Sequence, residues 1–548
     1  MRKNLLFFYI MLLVIFPQYA HAFPKGGQVV AGQAQINQVD THNMHVNQAT
    51  NKAIINWKGF SIARPEAVKF LQPGSGSVAL NRVTGGDPSE IFGLLQANGG
   101  IFLINPNGIL VGPSGEINVN TFVASTLDIS NEDFLAENYR FTQNPNKSLA
   151  SIANQGIIQA AEGGHVSLMA PAVRNEGLIF AELGKVFIGA GERVTLNFEG
   201  NDLIGFAVDE SIKDKVLGPD GKPLAESISN TGEISADGGQ VILSAKTAYE
   251  AIKSVVNNEG VIEARTLVSQ NGVIKLMGGD RGIVANSGVL DASGKEAGQT
   301  GGTVHVLGEK VGLFDNAVIN VSGDAGGGTV LMGGDFQGKN PDIPNASNAY
   351  VSSEAAITAD ALTDGDGGEV IVWADETTRV YGAITARGGD NSGAGGFIET
   401  SGGYLDIGGA LIDASGQNGI AGEWLLDPHN ITISTDPSVT VGSEFAFQST
   451  ADGSNLNIAD LLNALGADGA GADVSITTGD GGAETGDITL ATVLDFSSID
   501  ANRTLTLNAH DDIIINFPIS HVAGTFSLNL DFNANDATGG EHPVVPEV

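Results

Sequence analysis

One spacing constrains this chain more than anything else in it. An aliphatic residue followed two places later by a small apolar one recurs at Ile158/Ala160, Ile179/Ala181, Ile234/Ala236, Ile262/Ala264, Leu290/Ala292, Ile319/Val321, Ile357/Ala359, Ile384/Ala386 and Ile412/Ala414. The step is 28 residues from Ile234 to Ile262 and again from Ile262 to Leu290, within the range of about 20 to 50 residues that marks stacked repeat architectures. Units open on Asn-x-Gly, as at Asn154/Gly156, Asn175/Gly177, Asn230/Gly232, Asn258/Gly260 and Asn286/Gly288, and later turn at Gly-Gly into a second alternating strand, as in Gly238-Gly239-Gln240-Val241-Ile242-Leu243. Alternation over a few residues is strand text, and Gly or Asn at the corners supplies the positive φ of sharp turns. Stacked units pair each strand with its equivalent in the next coil. The expected fold is all-β: a right-handed parallel β-helix (solenoid) with extra-helical loops and a less regular C-terminal β region.

Two intervals break the rhythm. The polar, turn-rich text between Phe198 and Glu226 leaves a long gap that holds either two turns or one turn plus an excursion, and residues 338–345 read as a loop thrown out of one coil. Insertions between coils collect on one face and make natural contact sites.

Composition narrows the function. The chain has 75 Gly but 42% hydrophobic residues and no Gly-X-Y period, so it is neither collagen-like nor disordered. A formal charge of -36 repels phosphate backbones, and no nucleic-acid partner is expected. With no cysteine, disulfides, thiolate metal sites and thiol nucleophiles are excluded together. Arg2 and Lys3 precede an apolar run from Leu5 to Phe16, and Ala20-His21-Ala22 completes a cleavage site, which reads as a secretory signal peptide over residues 1–22. No later stretch approaches the ~18 uninterrupted apolar residues of a membrane span, so no integral membrane segment is expected in the mature chain.

Ordered motifs follow between Asn51 and Phe141: Ile54-Ile55-Asn56-Trp57-Lys58-Gly59-Phe60, Leu80-Asn81-Arg82-Val83-Thr84-Gly85, Ser89-Glu90-Ile91-Phe92-Gly93, Gly100-Ile101-Phe102-Leu103-Ile104-Asn105-Pro106-Asn107-Gly108-Ile109 and Phe122-Val123-Ala124-Ser125-Thr126-Leu127. This text resembles the N-terminal secretion domain of two-partner secretion exoproteins, the filamentous haemagglutinin family. Downstream, residues 332–338, Val372-Trp373-Ala374-Asp375 and Trp424-Leu425-Leu426-Asp427-Pro428 resemble the shaft of its high-molecular-weight adhesin branch.

The resemblance implies export through the periplasm and across the outer membrane of a Gram-negative bacterium by a dedicated β-barrel partner. It implies an adhesin or haemagglutinin, secreted or at the cell surface, with a host-cell or bacterial surface receptor for which a glycan is one candidate. It divides the chain into a secretion (haemagglutination activity) domain over 23–141, a repeat shaft over 142–428 and a C-terminal β-rich region over 429–548. It also implies a secretion role for Asn105, Pro106, Asn107, Gly108 and Ile109, with Asn81, Arg82 and Val83 as a secondary motif. Physically, Asn-Pro-Asn-Gly is a turn in which Pro fixes φ and Gly tolerates positive φ. The tetrapeptide is either recognised directly or only closes a corner. A second Asn-Pro-Asn, at residues 144–146, lacks the family context and reads as a plain turn.

Catalytic chemistry is not expected. Asp291 and Asp413 share an Asp-Ala-Ser-Gly context but stand several coils apart, and His510-Asp511-Asp512 reads as a turn. Asp364-Gly365-Asp366 has oxygen ligands suited to Ca²⁺ but lacks the rest of an EF-hand loop and does not repeat. No catalytic residue, metal site or cofactor is assigned. The alternatives are an exported carbohydrate-active enzyme on the same scaffold, whose paired acids would need a shared groove, and a truncated stalk of a larger contact-dependent effector.

Overall fold

The computed structural model describes residues 23–531, apart from 200–201, 219–221, 249–253, 268–269, 417–419, 438–440, 444–445, 451–452, 468–470, 480–483, 500–501 and 522–525. The expected signal peptide at 1–22 lies outside the described residues. Among the described residues, no helix is long and apolar enough to cross a membrane.

The chain winds as a parallel β-helix with three ladders. The aliphatic column found in the sequence is one of them: Ile234 pairs with Ile262, then Leu290, Ile319, Ile357, Ile384 and Ile412, strictly in register. A second ladder climbs through Ser151–Asn154, Ala172–Asn175, Glu226–Asn230, Ser254–Asn258 and Ile283–Asn286. A third runs through Lys185–Ala190, Gln240–Ala245, Val273–Met277, Thr303–Leu307 and Thr329–Met332. Inward positions of all three are mostly buried aliphatics, which pack into one continuous narrow core among the described residues.

Each Asn of Asn-x-Gly points inward and is buried. Asn154 donates to Asn175 at 2.8 Å, Asn175 to Asn230 at 2.7 Å, Asn230 to Asn258 at 2.7 Å and Asn258 to Asn286 at 2.6 Å. The amides can enter an apolar core because each finds its partner one coil away. The Gly of the motif has a different reason from the one expected. Gly232, Gly260 and Gly288 do not have positive φ. A Cβ on Gly232 would lie 2.1 Å from the Gly177 carbonyl, and one on Gly260 2.1 Å from that of Gly232. Close stacking of coils, rather than backbone handedness, excludes a side chain there. Gly238, first of its Gly-Gly pair, does sit at φ 68°.

The N-terminal end is closed by antiparallel strands: Ala34–Gln38 pairs with Asn43–Gln48, and Gln28–Ala31 with Lys52–Trp57. The long interval holds one coil plus an excursion, since Asn175 pairs directly with Asn230 and Ile179 with Ile234. The excursion is an antiparallel sheet of Arg140–Thr142, Arg193–Glu199 and Asp202–Glu210. It covers the outer face of the third ladder with a second core that includes Phe102, Phe134, Tyr139, Phe141, Phe187 and Leu196. Beyond residue 429 the winding is less regular. The third ladder continues through Asp473–Thr477, Thr504–Asn508 and Ser527–Asp531, while the helix Ile458–Ala464 interrupts the coil beside Leu411–Asp413.

Candidate functional site

The Asn105–Gly108 turn joins the strand Gly100–Ile104 to Ile109–Val111, at a corner of the coil. Asn105 is fully buried and anchors it. Its Nδ2 donates to the Asp87 carbonyl and to Ser89 Oγ, both at 3.0 Å, while its Oδ1 accepts the Asn107 N–H at 3.0 Å. Gly108 N–H closes the turn on the Asn105 carbonyl at 3.1 Å, and Gly108 holds φ 115°. Asn107 Nδ2 reaches the Gly85 carbonyl at 3.0 Å, one coil back. Pro106 and Asn107 remain partly exposed, and Ile109 is buried. The turn therefore has an inner half that fixes geometry and an outer half that presents a surface.

The second Asn-Pro-Asn repeats this construction. Asn146 N–H donates to Asn144 Oδ1 at 2.9 Å and Lys147 N–H to the Asn144 carbonyl at 3.0 Å. The two turns meet, because Lys147 Nζ donates to Asn107 Oδ1 at 3.2 Å. Together with Pro88, Leu149 and Leu217 they line a cleft of about 520 Å³. Their adjacency was missed by reading one motif at a time; the shared tripeptide was the available signal.

Asn81, Arg82 and Val83 lie elsewhere. Asn81 and Val83 are buried, and Asn81 Oδ1 accepts the Trp57 indole N–H at 3.0 Å. Arg82 donates to Asp128 at 2.9 Å, to Asn131 at 2.6 Å and to the Ile129 carbonyl. It bolts the short helix Asn131–Leu135 and its aromatic cluster to the coil. These three residues do not reach the Asn-Pro-Asn cleft.

The acids weighed for chemistry mostly serve the turns. Asp291 and Asp413 accept the N–H of Ser293 and Ser415 at 3.0 and 2.9 Å, and they are separated in their column by Asn320, Thr358 and Thr385. Asp364 and Asp366 accept from Ser392 and Ala394, each at 2.8 Å, on the following coil. Oxygens of Asp487, Asp511 and Asp512 lie within 4.8 Å of one another; burial and its two acidic neighbours push Asp512 up. Residue 399 was not singled out by sequence, although a Glu on an otherwise apolar outward column is the sign that marks it. The three downstream motifs meet around it: Gln337 donates from its backbone to Glu399 and from its side chain to Asp427, and Gly334 and Gly338 pack on Trp373.

A parallel coil closed at its N-terminal edge, with an ordered corner turn and an extra-helical sheet, defines the class of molecule. The crystal structure of the HMW1 secretion domain from Haemophilus influenzae matches with TM-score 0.62 at 34% identity, over 74% of this chain and 100% of that one. A TPS (two-partner secretion) secretion domain family model matches residues 20–292. Two heme/hemopexin-binding proteins of Haemophilus influenzae, one from strain Rd, align at 28% identity over 275 residues and 31% over 268. These matches span 46% and 48% of this chain and 28% of each relative. The chain belongs to the TPS secretion domain family. It carries the secretion domain of an exported protein, and that family is not a family of enzymes.

Proposed function

We propose that the chain is a non-enzymatic exoprotein that an outer-membrane β-barrel transporter recognises through the Asn105–Ile109 corner, and that it then acts as an adhesin outside the cell. The observation that carries this reading is the division of the corner into a buried half and a presented half. In it, Pro106 and Asn107 form the contact surface, Asn105 and Gly108 are positioning residues, and Ile109 anchors the turn in the core. Arg82 serves at a distance by holding the aromatic cover, and Asn81 and Val83 by filling the inside of the coil beneath it. We take the division into 23–141, 142–428 and 429–548 as one of role only; one sheet runs through the described part of all three.

The test is co-expression in a Gram-negative host with and without the partner barrel, assaying protein in the medium. Barrel-dependent release that falls at least tenfold in Asn107→Ala, with the purified variant keeping its β signature, is the expected result. Release without the barrel would refute the reading. Unaffected release of Asn107→Ala would reduce the turn to a corner.

A second reading, capture of haem or a haem carrier, is favoured by the names of the two relatives. A shift in the absorption of haemin on mixing with the secreted protein would support it, and an unchanged spectrum would remove it.

A further inference from the structure

The cleft beside the corner turn is assembled from four separated stretches of chain. Pro88 and Glu90 come from one coil, Asn107 from the next, Lys147 and Leu149 from the second Asn-Pro-Asn turn and its exit, and Leu217 from the excursion. The walls made by the second turn and by the excursion are fixed to one another through Glu192. Its carbonyl accepts the Gln143 N–H at 2.8 Å, and its carboxylate accepts the N–H of Lys213, on the stretch that leads to Leu217, at 2.7 Å. Gln143 also braces the second turn, donating from its side chain to the Asn144 and Lys147 carbonyls at 3.2 and 3.1 Å. The cleft is preformed, and a partner does not spend binding energy on ordering it.

Lys147 sets the electrostatics of the cleft. Three other bases at this end of the chain are neutralised by acids: Lys52 by Glu137 at 2.8 Å, Arg82 by Asp128 at 2.9 Å and Lys213 by Glu192 at 3.7 Å. The exposed Lys147 ammonium rests instead on an uncharged amide oxygen, that of Asn107 at 3.2 Å, and among the described residues it has no carboxylate partner. An ammonium carries three donors, and this bond uses one. Glu90 is also exposed on the lining and does not pair with it. Leu149 is half-buried and Leu217 is 41% exposed. In a chain of formal charge -36, an uncompensated cation beside apolar side chains selects for an acidic partner.

We propose that this cleft is the second half of the surface by which the outer-membrane β-barrel partner holds the chain. An extended acidic segment of the barrel lies between the two turns, with its carboxylate on Lys147 and its apolar side chains on Leu149 and Leu217. This contact presupposes that the Asn105–Ile109 corner faces the barrel, as proposed above, and adds to the corner a second turn, a charge and the excursion. Asn107 then touches the partner and also positions the Lys147 ammonium.

Binding of the purified full chain to the detergent-solubilised barrel, at low and at high salt, tests this. Wild-type affinity should fall as salt rises. Lys147→Gln keeps a donor for Asn107 but no charge; it should bind about threefold more weakly at low salt, the size of an exposed ion pair, and flatten the salt dependence. Lys147→Glu should bind about tenfold more weakly, and Lys147→Arg like the wild type. A merely structural Lys147 would leave the salt slope alone. A photo-crosslinking side chain at Leu217 should capture the barrel during co-expression, and one at Leu411, exposed far along the shaft, should not. An unchanged salt slope in Lys147→Gln, full affinity in Lys147→Glu, or no barrel captured from Leu217 would each overturn the proposal. Release into the medium separates it from the reading it rests on. If release falls in Asn107→Ala but not in Lys147→Glu, the corner stands and the cleft does not; full release of Asn107→Ala removes both.

Discussion

Two stretches of the shaft share one backbone and are stitched differently. From Ser151 to Asn286 the coils are joined inside, by five buried amides in a chain of hydrogen bonds. Above Asn286 the same column continues as Leu313, Val351 and Val380, which leaves that half with outer polar links of the kind that Arg265 and Asp237 also make below, but without the inner amide chain. There Asp324 accepts from Thr363 at 2.6 Å, Asp364 from Ser392 at 2.8 Å, and Arg387 pairs with Asp360 at 2.7 Å. An inner amide gives up water on folding and must be fully partnered, whereas an outer one keeps water as a substitute. The two halves should therefore differ in how much one broken link costs.

The sharpest way to break this comparison is Asn230→Leu. It leaves Asn175 Nδ2 only its longer contacts to the Gly177 and Glu233 carbonyls, both at 3.4 Å, and takes the Asn230 donor from Asn258 Oδ1; at about 1–3 kcal/mol for a buried polar group that loses its partner, the inner-stitched half should lose about 3 kcal/mol. Hydrogen exchange of Glu226–Asn230 and its neighbours would read this, and a cost under about 1 kcal/mol would show that the amide chain is dispensable.

Acidification should separate the halves more gently. His165, under the extra-helical sheet, is pushed down to about 3 by burial, with Lys185 nearby, and contacts the Phe198 ring at a centroid distance of 5.2 Å. A buried neutral imidazole is outcompeted for protons by the opened state, so its cover weakens as pH falls from 6.5 toward 3. Asp324 runs lower: hydrogen bonds from Thr363 and Gly298 hold it below its usual 3.8, and its contribution fades only as pH drops beneath that value. At pH 5, exchange in Arg193–Glu199 should quicken while Thr303–Leu307 stays protected. His165→Phe should abolish the difference, and its persistence would place the sensitivity elsewhere.

The smallest effect is expected from Ser392→Ala, which deletes an outer link to Asp364. A loss within about 0.5 kcal/mol in denaturant unfolding is anticipated. A cost matching that of Asn230→Leu would erase the distinction between the halves.

Much of this was legible before any coordinates. The column from Ile234 to Ile412 was readable because its period is long, regular and free of charge. The excursion was not, because apolar alternation at Val194, Leu196 and Phe206 reads the same whether it lines the coil or packs on its outside. The glycines of Asn-x-Gly were found for one reason and conserve space for another, since a single coil's text says nothing of its distance from the next. At the corner site the four residues were marked by motif, but the meeting of Asn107 with Lys147 depends on a return of the chain 40 residues later. Glu399 escaped because its partner Gln337 lies 62 residues away in the sequence.

The antiparallel closure at Gln28–Ala31 and Ala34–Gln38 makes the rod directional. At that end the first coil meets two antiparallel strands, each paired on one side only, in place of a further parallel coil, so parallel stacking runs in one direction from them. For a chain that leaves a compartment N-terminus first, the order of emergence and the order of assembly are the same. A coil wound before the next one emerged would be wider than the extended strand that made it, and in such a chain the winding itself would act as a pawl.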